Sequence, residues 1–210
     1  MLRIGHRPRM FYFGVMNEGI IVLKNLINQI YPISPEAMEE MCSIWTPFHA
    51  GRKELISRAG ETERYLYVVL DGVQRVYYCD EQDREATILF TYSPSFGGVL
   101  DSFLLQTPSR YQYEALTPSH FLRTTHLQFS IVRNKHHSAE GLVSKGLAGV
   151  ISGLEERLVE IQCFNSEDKL RSLLKRSPHI LQLVPHKYLA SYLGIDATNF
   201  SKMMGKILRD

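Results

Sequence analysis

Hydrophobic and polar positions change their rhythm twice along this chain, which divides it into three parts. From residue 17 to 43 apolar side chains recur at mixed spacings of three and four (Ile20, Val22, Leu23, Leu26, Ile27, Ile30) and stop at "YPISPEAMEEM". There Ser34 precedes Pro35, as an N-cap precedes proline at the first helical position, so short helices are expected. From about 44 to 133 the segments "RYLYVVLDGVQRVYYCD", "EATILFTY", "YQYEALT" and "HFLRTTHLQFSIV" are rich in Val, Ile, Thr, Tyr and Phe, and turn residues separate them. They predict strands. Asp71-Gly72 between apolar alternations predicts a hairpin, and several short strands at regular spacing predict a β-sandwich or small barrel of the jelly-roll type.

The third part is helical. Leu147, Ile151, Leu154, Leu158 and Ile161 follow at spacings of four, three, four and three, with Glu155, Glu156, Arg157 and Glu160 around them. This is an a/d seam about two heptads long, suited to packing on the roll or on a second copy of itself. "NSEDKLRSLLKRSPHILQLVP" predicts a further helix, with Asn165 or Ser166 as its cap, acids in the first turn and Lys175-Arg176 in the last, as the helix dipole favours. In "HKYLASYLGIDATNFSKMMGK" (186–206) apolar residues fall at positions four (Leu189), eight (Leu193), ten (Ile195), fifteen (Phe200) and eighteen (Met203), with alanine at five and glycine at nine. That is helix-turn-helix spacing. A small Ala190 lets two helices cross closely, Gly194 ends the first in a left-handed conformation, and Asp196 caps a second running from about Ala197 to Leu208. The competing reading is a helical hairpin that touches no nucleic acid.

Charge sharpens this division. The chain has 24 basic and 22 acidic residues, but residues 164–210 hold eight Lys or Arg against four acids, leaving the first 163 residues mildly acidic. A basic terminal module on an acidic body points to a polyanionic partner. Cys42, Cys79 and Cys163 are far apart and share no ligand spacing, so they read as reduced, buried thiols. No apolar run approaches the roughly 18 residues of a membrane span. The first residues lack the long apolar region and cleavage site of a secretory signal, so a cytoplasmic location is expected, with residues 1–16 set apart as an extension. His136-His137 fall in the polar stretch "RNKHHSAEG", and His49, His120 and His126 are scattered. Neither arrangement suggests a metal site, and no nucleophile constellation or carboxylate pair suggests an enzyme.

Taken together, the roll, "FGGVLDSFLLQTPSRYQYEAL", the long helix and "VPHKYLASYLGI" at 184–195 resemble the Crp/Fnr family of bacterial transcription regulators, and in particular its short Bacteroidetes-type members. The resemblance implies an α+β chain: a cyclic-nucleotide-binding-like β-roll sensor domain with flanking helices (17–137), a central dimerisation helix (138–163) and a winged helix-turn-helix DNA-binding domain (164–210). It implies a homodimer on double-stranded DNA, in contact with RNA polymerase and answering to a small-molecule effector. Leu147, Ile151, Leu154, Leu158 and Ile161 would form the dimer interface.

Nucleotide-binding relatives carry a glutamate after Phe-x-Gly, and further along an arginine followed by Ser or Thr. Carried over from Phe96 and Gly98, the glutamate position is Val99 and the arginine position is Ser109, with Arg110 one residue late. On a strand such an offset turns the side chain to the other face. The pocket of Gly97, Gly98, Val99, Leu100, Ser109 and Arg110 is therefore expected to have diverged from cyclic AMP, for a different small ligand or none. Free N–H groups would still follow Gly97 and Gly98, ahead of a short helix from Val99 to Leu105. The family's base-contacting Arg-Glu pair and later Arg fall on Ala197, Thr198 and Lys202, so the operator should differ. Asn199 and Ser201 are further candidates for base contact, and Lys206 for phosphate. The alternative reading is a small-ligand-binding or protein-interaction module whose helix-turn-helix is structural only.

Overall fold

The computed structural model describes residues 8–207. Helices α1 (Pro8–Ile30) and α2 (Pro35–Ser43) precede the strands β1 (Thr46–Ala50), β2 (Leu55–Ser57), β3 (Tyr65–Asp71), β4 (Val73–Cys79), β5 (Glu85–Tyr92) and β6 (Ser95–Gly97). The short helix α3 (Leu100–Leu105) leads to β7 (Gln112–Ala115) and β8 (Ser119–Thr125). Six helices follow: α4 (His126–Lys135), α5 (His137–Cys163), α6 (Ser166–Arg176), α7 (Ile180–Leu183), α8 (His186–Leu193) and α9 (Ala197–Ile207). Ser34 caps α2 as expected, its hydroxyl accepting from the Ala37 N–H at 3.2 Å. α1 continues back to Pro8, so part of the segment set apart as residues 1–16 is helical; residues 1–7 lie outside the described residues.

The strands form two four-stranded antiparallel sheets, in the orders β1-β8-β3-β6 and β2-β7-β4-β5. The continuous apolar run of β3 reflects burial on both faces. Leu66 and Val68 pack with α1, α2 and α4, whereas Tyr67 and Val69 meet Val76, Tyr113 and Phe121 between the sheets. A third cluster joins Val73, Leu116, Phe90 and Tyr92 to the C-terminal helices, on the outer face of the second sheet. The chain is thus layered as helices, sheet, sheet, helices.

Five expectations change. Asp71-Gly72 does not turn a hairpin: β3 and β4 belong to different sheets, and the dipeptide is the corner between them. Thr117 fixes this corner, its hydroxyl accepting from the Val73 N–H at 2.9 Å, while the Leu116 N–H donates back to the Val73 carbonyl at 2.8 Å. The strand read through "HFLRTTHLQFSIV" ends at Thr125, whose hydroxyl accepts from the Gln128 N–H at 3.2 Å and so starts α4. That N-cap outweighs the β-propensity of the residues after it. The polar stretch around His136-His137 is helical on both sides, with His136 alone outside α4 and α5. All eight strands of the described residues lie between Thr46 and Thr125, so the described residues of the segment 164–207 hold helices and no strand of the expected wing. Of the thiols, Cys42 and Cys79 are half-buried and Cys163 is exposed, contrary to the expectation of burial; all three are free.

Gly72 has φ +87°, and a Cβ there would lie 2.6 Å from the Pro118 carbonyl oxygen. Gly72→Ala is expected to cost about 1–3 kcal/mol, read as a lower midpoint in urea denaturation. An unchanged midpoint would show that the corner relaxes freely.

Candidate functional site

The β-roll opens toward α5 in a cavity of about 460 Å³, lined by Val76, Leu89 and Thr91 of the second sheet, by Phe96 to Asp101, and by Leu147, Val150 and Leu154 of α5. A smaller space of about 150 Å³ adjoins it and shares Leu66, Phe96, Leu100, Leu104, Leu147 and Val150. Gly97, Gly98, Val99 and Leu100 line the larger cavity, whereas Ser109 and Arg110 do not. Ser109 is buried, its hydroxyl donating to the Tyr111 carbonyl and accepting from the Tyr111 N–H, both at 2.8 Å. Arg110 is exposed, in the turn before β7. α3 starts one residue later than expected, with Val99 as its cap.

Glu63, which sequence reasoning passed over, is buried beside α3. It accepts hydrogen bonds from the Ser57 hydroxyl, the Tyr65 N–H (3.1 Å) and the Val99 N–H (3.4 Å), and its own N–H donates to Ser102 (3.0 Å). Burial raises its pKa above the ordinary carboxylate value, against these hydrogen bonds. The N–H that precedes α3 is therefore already satisfied by an internal carboxylate. Nothing in the sequence pattern points to Glu63, because its partners come from three separate segments.

On the other face of the second sheet stands Arg75, whose side chain is 2% exposed. Its Nε donates to Glu114 and its Nη1 to Glu85, each at 2.7 Å. Burial disfavours the guanidinium charge, yet the bonds to Glu85 and Glu114 outweigh it and hold the pKa above its usual value. The guanidinium carbon lies 3.8 Å from the Tyr77 ring centroid and 4.1 Å from that of Tyr188 in α8. Lys53 joins this group, donating to the Tyr188 hydroxyl and to Glu114. Nearby, the Thr87 N–H donates to Ser191 at 3.0 Å, and the Phe90 and Tyr192 rings stand 5.4 Å apart. The aromatic and hydroxyl residues of "VPHKYLASYLGI" thus attach α8 to the roll. An arginine within "DGVQRVYYCD" was the available sign, since a lone cation in an apolar strand needs a partner.

α8 ends at Gly194 (φ 63°, ψ 38°), the left-handed C-cap expected there. The Asp196 carboxylate accepts from the Thr198 N–H (2.8 Å) and the Asn199 N–H (3.2 Å) at the start of α9. Ala190, Phe200 and Met204 are buried in one cluster. Ala197, Thr198, Asn199, Ser201, Lys202 and Lys206 are all exposed and share the outer side of α9. Three of them have side-chain partners already: the Thr198 side chain bonds the Asp196 carboxylate, Ser201 donates to the Ala197 carbonyl (3.0 Å), and Lys206 pairs with Glu167 of α6 (3.0 Å). Asn165, rather than Ser166, caps α6, accepting from the Asp168 N–H at 3.0 Å. Along α5, Leu147 is half-buried, while Ile151, Leu154, Leu158 and Ile161 are 49–56% exposed, an apolar stripe on one helix.

No family model and no curated protein matches this chain by sequence. Its fold is that of solved regulators and nucleotide-binding domains. FixK2 from Bradyrhizobium japonicum superimposes with a TM-score of 0.71 at 16% identity, over 79% of this chain and 85% of that one. The c-di-GMP responsive global regulator CLP from Xanthomonas campestris gives 0.62 at 14%, over 84% and 93%. A cyclic nucleotide-binding domain from Methylobacillus flagellatus gives 0.58 at 15%, over 69% and 82%. At such identities the likeness is one of fold, and it extends over 69–84% of this chain in these three matches. Among the described residues no helix is long and apolar enough to cross a membrane, and no cluster of three or more His, Cys, Asp or Glu residues could hold a metal ion.

Removing the Arg75 cation would leave Glu85 and Glu114 without their shared partner and take away one of the contacts that hold Tyr188 on the sheet, the other being Lys53. Arg75→Met is expected to lower stability by about 3–5 kcal/mol in urea denaturation and to speed amide exchange in α8 and α9. A variant with unchanged stability and exchange would remove Arg75 from the clamp.

Proposed function

We propose that this chain is a DNA-binding transcription regulator of the Crp/Fnr type, homodimeric through α5, with a sensor pocket that has diverged from cyclic AMP. The observation that carries the reading is α9. Its inner residues Phe200 and Met204 are buried, while its outer face presents a methyl group, a hydroxyl, an amide and cations to solvent at the end of a basic module. Such groups read base edges and phosphates in a major groove. Thr198 and Ala197 suit the thymine methyl and hydrogen-bonding edges, and Lys202 suits guanine or phosphate. Lys206 reaches phosphate only by giving up Glu167, which tunes binding rather than preventing it.

The exposed stripe on α5 supports the dimer. Two copies paired along it would bury Ile151, Leu154, Leu158 and Ile161 and present two α9 helices to half-sites about 34 Å apart. The exposure of Arg110 and the internal bonds of Ser109 support divergence, since a cyclic phosphate would find no cation on the cavity wall. A cytoplasmic location and contact with RNA polymerase belong to the same reading. The alternative of a ligand-binding or interaction module fits the roll equally well but leaves the polar outer face of α9 without a use.

Lys202→Ala is expected to weaken duplex binding and to lower the slope of log affinity against log salt by about one; a wild-type slope and affinity would take Lys202 out of the interface. Substituting Leu154 and Leu158 together with Asp is expected to convert a dimer to a monomer by light scattering. A dimeric double variant would place the contact elsewhere.

A further inference from the structure

The cavity between the roll and α5 has a composition that selects its occupant. No lysine, arginine or histidine lines it, and its single charged side chain is Asp101, at the exposed first turn of α3. Its deep walls are Leu66, Val76, Phe96 and Val99, and Gly97 and Gly98 offer backbone rather than side chains. Thr91 is spoken for: its hydroxyl donates to Gln74 at 2.8 Å and lies 2.9 Å from the Tyr113 hydroxyl. Tyr111 is the lining residue whose phenol makes no hydrogen bond among the described residues. The Val99 N–H, which precedes α3, faces Glu63.

An anion entering this space would lose its hydration and find an aspartate, a buried glutamate and no cation. That is the costly case for a charge in an apolar site. A neutral apolar molecule loses little on entering and buries its surface. The volume of about 460 Å³ lies within the range of small-molecule sites, roughly 300–1,000 Å³. We infer that this cavity binds a neutral apolar molecule, of the size of a medium-chain alcohol or a small aromatic, with one hydroxyl or carbonyl that pairs with Tyr111. The assignment deepens the regulator reading by naming the chemistry of its effector, although the binding step involves no DNA. A second copy of α5 could cover the opening but could not fill the interior. Helices are about 10 Å across with their side chains, and Val76 and Leu66 lie 3% and 6% exposed within the roll.

The test uses the full chain and the neutral fluorophore 1-aminoanthracene, with decan-1-ol and decanoate as competitors. Expected are saturable binding at one dye per chain, displacement by decan-1-ol, and displacement by decanoate only at concentrations at least about tenfold higher, a difference of about 1.4 kcal/mol. Leu104 lines both spaces, whereas its neighbour Leu105 is 70% exposed and lines neither. Leu104→Trp is therefore expected to weaken the dye by about tenfold or more, and Leu105→Trp to leave it within about twofold. Equal displacement by decanoate would overturn the assignment of a neutral ligand. Absence of saturable binding, or a Leu104→Trp variant that is folded by circular dichroism and binds as wild type, would overturn the site. Dye excluded from wild type but bound by a Leu158→Asp variant that light scattering shows to be monomeric would assign the cavity to the second copy instead. A duplex mobility shift on the same samples separates these outcomes from failure of the regulator reading, since DNA binding without dye binding, or the reverse, tells the two apart.

Discussion

The position of the C-terminal helices depends on one buried cation. Arg75 sits in the middle of a sheet with its charge almost fully removed from water, a state that costs several kcal/mol unless the charge is paired and hydrogen-bonded. Two carboxylates and two aromatic faces meet that requirement, and one of the aromatics, Tyr188, comes from α8. Because the guanidinium is planar, it accepts rings and carboxylates only in a restricted set of directions. The place of α8 on the second sheet is thereby fixed, and with it the turn at Gly194 and the start of α9. A lysine could supply the charge but not the plane.

This arrangement gives strands β4 and β5 two roles on their two faces. Val76, Leu89 and Thr91 look into the cavity, while Arg75, Phe90 and Tyr92 meet the C-terminal helices. Only one sheet separates the space where a ligand would lie from the helix that positions α9. α5 forms a second connection: it lines the cavity with Leu147, Val150 and Leu154 and, further along, anchors α6 through Glu160, which accepts from Ser172 and Arg176. On the proposed reading, occupancy of the cavity reaches the DNA-facing helix by shifting β4–β5 and α5 together, through packed elements rather than through a flexible linker.

The jelly roll, the long helix and the terminal helix pair were legible in the sequence because each rests on local periodicity or on a cap. Ser34, Gly194 and Asp196 act where the spacing put them, within a few residues of their partners. The features that were not legible depend on contacts between distant segments. Asp71-Gly72 has hairpin chemistry, but only the pairing of β3 with β8 and of β4 with β7 makes it a corner. The start of α4 hides in a run of β-forming residues, since a single Thr125 hydroxyl decides it. Arg75, Glu63 and Tyr188 gain their meaning from partners in distant segments, with Glu114 39 residues from Arg75, Val99 36 from Glu63 and Lys53 135 from Tyr188, separations no spacing rule reaches. The candidate DNA-facing residues were legible as an exposed helix face, whereas the apolar lining of the cavity emerged only when α3, β4–β5 and α5 were brought together.

The central claim is that paired α9 helices read DNA, and selection from a random duplex library by the full chain, with sequencing of the bound fraction, tests it most directly. The account expects enrichment of an inverted repeat whose half-sites are centred about one helical turn apart, with retention that falls as salt rises. A bound fraction with no enriched sequence and no dependence on salt would contradict it.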